Sequence, residues 1–398
     1  MTATVSGDRI EFLDVLRGVA LLGILVVNVF SFGADLPAWT SSTDRFAWQL
    51  KHFFFESKFW ALYSLLFGMG FYLQRQSGVF RWVHSLRRLG VLMAIGCLHA
   101  LLFEGDILML YAELGVLLLL VSRLPIRLLL VLAIALCLSF PLGHLWGPDR
   151  GDDWPATGVA EAESWLEDER EFSPLTADSM LSVIRYHAQF VPERFWVDWQ
   201  YPDSGLLVFA CFLFGFCLMR ADPRLHTLLR LNNPLPVTIW LWLAGLSLML
   251  LERALGLTHG YAPFERSAGP TFWVLLGDFT YLLATVFLTL AWFMTIVVWI
   301  ASERMLWLRV RIASAGKLSL SGYLTQTLIF STVFYGYGYG AAFVWGPATV
   351  LGLALVIYTL QVLIAHWWCQ HFRYGPVEWL WRSLTYWQLS PLRMNRNL

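Results

Sequence analysis

Apolar stretches close to twenty residues long recur along the whole chain, and that recurrence restricts the fold more than any single motif does. Backbone N–H and C=O groups inside hydrocarbon must be satisfied within the protein, which leaves helices or a closed barrel. A barrel would show short alternating strands. These apolar runs are long and continuous, so the expectation is an all-α fold, a polytopic membrane helix bundle. Composition agrees: 58% of residues are hydrophobic and 14% charged, whereas soluble chains carry about 25% charged residues. The net charge is zero and no basic tail or patch points to nucleic acid. Cys97, Cys137, Cys211, Cys217 and Cys369 lie in or beside apolar segments without a CxxC pair or a Cys/His cluster, so they read as small hydrophobes and no metal is expected.

Hydrophobic windows give about ten transmembrane helices, at 12–34, 53–74, 87–104, 106–122, 125–146, 204–220, 235–256, 271–301, 312–336 and 346–371. Basic residues orient them. Arg75, Arg81, Arg87 and Arg88 follow the second segment, Arg123 and Arg127 the fourth, and Arg220, Arg224 and Arg230 the sixth. Arg304, Arg309, Arg311 and Lys317 follow the eighth, and Arg373, Arg382, Arg393 and Arg396 the tenth. Together with Arg9 these make 18 of the 28 basic residues, and retention of basic loops on the cytoplasmic side then puts both termini there. The first segment is too long and too charged for a signal peptide and stays in the protein. The expected location is a bacterial cytoplasmic (inner) membrane, multi-pass. The chain divides into an N-terminal five-helix half (1–146), an external polar insertion (147–203) and a C-terminal five-helix half with a cytoplasmic amphipathic tail (204–398). The insertion is acidic, then aromatic in RFWVDWQYPD, and reads either as a cap on the outer membrane surface or as a lid over an outward-facing acceptor site.

Polar residues inside the apolar segments carry the functional signal. The first segment holds Asp14, Arg17 and Asn28. At about 100° per residue, Arg17 lies roughly 60° and Asn28 roughly 40° around the helix from Asp14, so the three share a face. A charge at mid-bilayer costs roughly 2.5 to 3.5 kcal/mol, so that face should look into the bundle. GCLHALLFEGDILMLYAELG supplies His99, Glu104, Asp106 and Glu113, an imidazole with acids near one membrane level, suited to proton transfer; a structural hydrogen bond across helices is the other reading of His99. Lys58 either snorkels to the outer interface or holds an anion, and Asp278 is a further buried acid. Ser319, Tyr323 and Gln326 form a stripe that interhelical hydrogen bonding alone could explain, with Lys317 placed to meet donor phosphates. Gly68 and Gly70 suit close helix packing.

Five stretches, RIEFLDVLRGVALLGILVVN, ESKFWALYSLLFGMGF, RRLGVLMAIGCLHALLFEGDILMLYAELG, GKLSLSGYLTQTLI and GPVEWLWRSLTYW, resemble in order and register the bacterial YeiB-like membrane proteins, the domain of unknown function 418 family. The opening motif is more distantly similar to the heparan-alpha-glucosaminide N-acetyltransferases and other transmembrane acyltransferases. That resemblance implies transfer of an acyl group from a cytoplasmic acyl-CoA co-substrate to a glycan, lipid head or small polar acceptor on the outer side, with no tightly bound cofactor. Asp14, Arg17 and Asn28 match those enzymes' aspartate, arginine and asparagine, but Trp39 stands where their catalytic histidine does. His99 is then the expected base, with His52 behind it. Glu113 or Asp106 would orient His99. Asp14, Arg17, Asn28, Lys58, Asp278, Lys317, Tyr323 and Gln326 are the expected substrate-binding residues. For such a site Asn28 and His99 must face one cavity. Membrane lipids are expected partners, and a homodimer is open. The competing expectation is a transporter or channel for a small polar or anionic solute, against which the absence of a clear internal repeat counts; a non-catalytic scaffold or sensor comes third.

Overall fold

A computed structural model describes residues 2–32, 41–76, 82–142, 174–200, 203–223, 225, 227, 231, 233–259, 272–302 and 304–393. Among these residues the chain is all-helical. In order, the helices are α1 (Thr2–Ser31), α2 (Ser42–Phe54), α3 (Lys58–Gln76), α4 (Trp82–Ala100), α5 (Leu108–Val121), α6 (Ile126–Leu142), α7 (Met180–Gln200), α8 (Asp203–Ala221), α9 (Leu235–His259), α10 (Phe272–Ala301), α11 (Leu306–Lys317), α12 (Ser319–Phe334), α13 (Pro347–His371) and α14 (Pro376–Tyr386). Four described spans are long and apolar enough to cross a membrane: Glu11–Ser31, Leu235–Thr258, Phe272–Ala301 and Pro347–His371. Shorter apolar helices cover Leu108–Val121, Ile126–Leu142 and Gly205–Ala221. Leucines, valines and tryptophans stay exposed along α9 and α13, among them Trp240, Leu243, Leu250, Leu360 and Ile364. An apolar girdle of that extent belongs against lipid rather than water.

Two segments expected as single helices are each two. The window 53–74 breaks at Glu56-Ser57-Lys58, where Ser57 takes φ 62°, a left-handed conformation that stops an L-residue helix. The break is held from both sides: Ser57 Oγ lies 2.6 Å from the Tyr281 hydroxyl, and Lys58 Nζ donates to the His52 carbonyl near the end of α2 at 2.9 Å. The second expected helix, 312–336, breaks at Leu318 between α11 and α12. Arg87 and Arg88, expected between helices, lie inside α4.

α1 is the axis of the bundle. Phe12, Val15, Leu16, Ala20, Leu25, Val26, Val29 and Phe30 are fully buried, and the helix packs along α11 and α13, with further contacts to α3, α10 and α12. Small residues allow the closest approaches, since a side chain on Gly18 would meet the Ile312 backbone and one on Gly316 the Asp14 backbone. Gly68 and Gly215 do the same where α3 crosses α8, each facing the other helix's backbone. Two helix starts are capped from distant elements. The Asp44 carboxylate of α2 accepts the Ala348 N–H of α13 at 2.9 Å. The Glu378 carboxylate of α14 accepts the N–H groups of Leu320 and Ser321 at 2.8 and 3.0 Å, together with the Ser321 hydroxyl. A carboxylate at a helix N-terminus answers both the unpaired donors and the dipole.

Candidate functional site

His99 sits one residue before the end of α4, where its carbonyl accepts the N–H groups of Leu102 and Phe103 and turns the chain out of the helix. The turn brings Asp106 back beneath the imidazole: Asp106 Oδ1 is 2.6 Å from His99 Nδ1. Its other oxygen accepts the Met109 N–H at 2.9 Å, fixing the carboxylate at the start of α5. Gly96, a turn before His99, leaves room for that carboxylate. On the far side of the ring, His99 Nε2 lies 2.7 Å from the hydroxyl of Thr327 on α12. His99, Asp106 and Thr327 are all buried. With Asp106 as acceptor, Nδ1 carries the proton and Nε2 presents its lone pair to the Thr327 O–H.

Tyr323, one turn before Thr327, packs against the imidazole with ring centroids 4.8 Å apart. Its buried hydroxyl is approached by the Ile107 backbone and by the side chain of Asn28 of α1. Asn28 and His99 therefore meet at one tyrosine, although they come from α1 and α4. Gln326 turns away: its amide donates to Gln361 at 2.8 Å and Gln361 in turn to the Gly322 carbonyl at 3.0 Å, tying α12 to α13.

Two cavities are lined by residues of the same elements as this cluster, though not by His99, Asp106, Tyr323 or Thr327 themselves. One, of about 210 Å³, is lined by the exposed or half-buried Arg17, Arg88 and Lys317 and by the buried Leu92, Leu108, Tyr111 and Leu320. Leu108 is two residues from Asp106 and Leu320 three from Tyr323, so the wall of this cavity is built from the elements that carry the cluster. Arg17 Nη1 also pairs with Asp14 at 3.2 Å, and Gly70 leaves room for its guanidinium. Arg88 lies over the Trp381 ring at 4.3 Å, whose indole N–H donates to the Arg88 carbonyl at 2.8 Å. Glu378 also lines this cavity, but its oxygens are engaged at the start of α12, and burial pushes its carboxyl above the usual range against the pull of those hydrogen bonds. The second cavity, of about 150 Å³, is lined by Ala100, Glu104, Tyr186, His187, Phe190, Val191 and Arg194. α7, from the insertion, forms its cover, and Arg194 donates to the Asp106 carbonyl at 2.8 Å. Burial pushes the His187 imidazole below its usual range, opposed by the carbonyls of Val183 and Leu101.

The remaining expected residues lie elsewhere. Glu113 is near Cys97, so the group on His99 is Asp106. Lys58 and Asp278 are fully buried away from the His99 cluster. Lys58 belongs to a charged group at the α2–α3 break, where Lys51 and His52 contact Glu56 at 3.4 and 2.9 Å, His52 reaches Glu252 at 3.7 Å, and Lys58 sits over Tyr281 at 5.6 Å. His52 is thereby committed to two carboxylates. Trp39 and most of the insertion lie outside the described residues. Thr327 and Arg88 were not among the expected site residues. Thr327 follows Tyr323 by four, the spacing that puts both on one helix face, while Arg88 reads from sequence only as a loop charge.

This chain, all-helical over its described residues, with its apolar girdle and its polar cluster held inside the bundle, is a membrane protein. Residues 224–388 match the family described as protein of unknown function (DUF418). Over 98% of its length it is 26% identical to the Bacillus subtilis (strain 168) protein named uncharacterized protein YxaH, covering 97% of that protein. Over 95% it is 28% identical to the Escherichia coli (strain K12) protein named uncharacterized protein YeiB, covering 96% of it. The chain is thus similar to YeiB and YxaH over nearly its whole length, and to the DUF418 family over residues 224–388.

Proposed function

We propose that this protein is a transmembrane acyltransferase of the bacterial cytoplasmic membrane, with about ten spans and both termini cytoplasmic. The observation that carries this reading is the buried His99–Asp106 pair, with a basic cavity and a mixed polar and aromatic one lined by residues of the same elements. The basic cavity lies at the end where the arginine-rich connections gather, which the retention of basic loops assigns to the cytoplasm. Arg17, Arg88 and Lys317 suit the phosphates of an acyl-CoA there, because guanidinium and ammonium groups form the stronger charge-assisted bonds to phosphate. The apolar lining of that cavity would receive the acyl chain and present the thioester beside Tyr323 and Asn28, donors placed to stabilise an oxyanion. The cavity under α7 would admit a hydroxyl- or amine-bearing acceptor from the outside, a glycan, lipid head or small polar molecule, with His99 as base.

Purified protein in nanodiscs, given acetyl-CoA and an envelope glycan or lipid extract, should release free thiol and acylated product, and His99→Ala should abolish both. Unchanged turnover in His99→Ala would remove His99 from the chemistry. One observation favours a second reading, a transporter: the buried charged group around Lys51, His52, Glu56, Lys58 and Glu252 is larger than acyl transfer requires. Proton-coupled solute uptake in proteoliposomes, lost in Glu252→Gln, would establish it.

A further inference from the structure

The base proposed above has a neighbour that complicates a direct reaction. His99 Nε2, the atom that must take a proton from the acceptor, is already 2.7 Å from the Thr327 hydroxyl. An acceptor could reach the imidazole only by displacing that hydroxyl or by reacting after it.

Thr327 differs from the other threonines of its own helix. Thr325 donates its hydroxyl to the Ser321 carbonyl at 2.7 Å and Thr332 to the Leu328 carbonyl at 2.8 Å, the usual resting place for a helical threonine. So do Thr280, Thr295, Thr359 and Thr385 on other helices. The Thr327 hydroxyl is instead aimed at His99. Carboxylate, imidazole and hydroxyl then stand in series, Asp106 Oδ1 to His99 Nδ1 at 2.6 Å and His99 Nε2 to Thr327 Oγ1 at 2.7 Å. In this order an imidazole activates a hydroxyl as a nucleophile. Tyr323, one turn away on the same face, brings a buried hydroxyl beside His99, and Asn28 faces it together with the Ile107 backbone.

We propose, resting on the acyltransfer reading, that Thr327 is the nucleophile of a two-step transfer and carries the acyl group as an ester between the two cavities. In the first step His99 Nε2 takes the Thr327 proton and Oγ1 attacks the thioester carbonyl carbon. Tyr323 and Asn28 donate to the resulting oxyanion. The C–S bond breaks and the thiolate leaves as thiol with the proton that His99 returns. In the second step the acceptor hydroxyl or amine gives its proton to His99 and attacks the ester carbonyl. The bond to Thr327 Oγ1 breaks and the proton goes back to the threonine. No electrons change hands. The two substrates need never occupy the site together, which fits two separate cavities lined by residues of the same elements as the cluster.

The test is intact-protein mass spectrometry of the full chain in nanodiscs after incubation with acetyl-CoA alone, then with lauroyl- or palmitoyl-CoA, followed by fragmentation to locate any adduct. The expected result is one acyl group per chain on the peptide containing Thr327, labile to hydroxylamine at alkaline pH. Thr327→Ser should be labelled and turn over within tenfold of wild type. Thr327→Val should be unlabelled, with turnover down at least a hundredfold and an unchanged melting profile. If wild type turns over but no adduct forms and Thr327→Val stays within a few-fold, transfer is direct: the two-step proposal fails and the acyltransferase reading stands. An adduct on His99 or elsewhere overturns it as well. No adduct and no turnover with any of the three donors would overturn both. Should Thr327→Val fail to fold, the location of the wild-type adduct and the behaviour of Thr327→Ser decide.

Discussion

Replacing Asp106 by asparagine separates the charge of that side chain from its structural role. The carboxylate makes two bonds, to His99 Nδ1 at 2.6 Å and from the Met109 N–H at 2.9 Å. An asparagine carbonyl oxygen can still accept the Met109 N–H, so the start of α5 is preserved. The other position becomes an amide, which cannot hold a proton-bearing Nδ1 and favours the opposite tautomer, with the proton on Nε2 where the base needs a lone pair. A buried hydrogen bond to a charged group contributes about 2 to 3 kcal/mol, so the loss of imidazolium stabilisation alone should slow turnover about 30- to 150-fold, and the wrong tautomer adds to that. Thiol release from acetyl-CoA in the presence of acceptor extract measures kcat, and a donor titration measures KM. The expected outcome is a fall in kcat of at least about 30-fold with the donor KM unchanged. A variant within twofold of wild type, properly folded, would refute the assignment of Asp106 as the group that orients His99.

Four further outcomes follow from the geometry. Arg88→Gln removes one charge-assisted contact from the basic cavity and should raise the acyl-CoA KM about 10- to 100-fold with little change in kcat; an unchanged KM at low salt would place the donor elsewhere. Gly68→Leu drives a side chain into the Phe212 backbone across the α3–α8 crossing and should lower stability by about 1–3 kcal/mol, read as a lower melting temperature; an unshifted melt would mean that the helices do not cross there. Glu378→Ala leaves the Leu320 and Ser321 N–H groups uncapped and should cost about 1 kcal/mol, visible as faster hydrogen exchange at the start of α12 and absent if another group caps it. The folded-state His187 imidazole is held below its unfolded value, so its contribution is present above that value and is lost as pH falls. Hydrogen-exchange protection of α7 should therefore decline as pH drops through about 6.5, whereas equal protection at pH 5 and pH 8 would contradict the burial of a neutral His187.

The bundle was legible because hydrocarbon leaves few options: apolar length fixes helix length, and Asp14, Arg17 and Asn28 required α1 to face protein, where its core residues are fully buried. Two breaks were hidden because a hydropathy window averages over nearly twenty residues and a helix can stop at one. At Ser57 the polar triplet was a signal, but a left-handed backbone conformation is not encoded by hydropathy; at Leu318 the flanking Gly316, Lys317 and Ser319 were a signal too, but they read equally as a packing glycine and a polar stripe on a continuous helix. The site was partly legible. His99 and Asp106 are seven apart and share a turn, so the sequence can pair them. Thr327 is 228 residues from His99, and only the packing of α12 against the end of α4 joins them. Glu113 and Lys58 illustrate the converse, since a charge in an apolar segment must be buried but its partner is set by tertiary packing, near Cys97 for one and at the α2–α3 break for the other.

Sidedness of the reaction tests the central claim most directly. Protein reconstituted in sealed vesicles, with orientation fixed by protease accessibility of the C-terminal tail, would receive acetyl-CoA on one side and acceptor on the other. Product should form only when acetyl-CoA is on the side of Arg17, Arg88 and Lys317 and acceptor on the side of α7. Product formed with both substrates on one side and none across the membrane would contradict an active site reached from opposite faces.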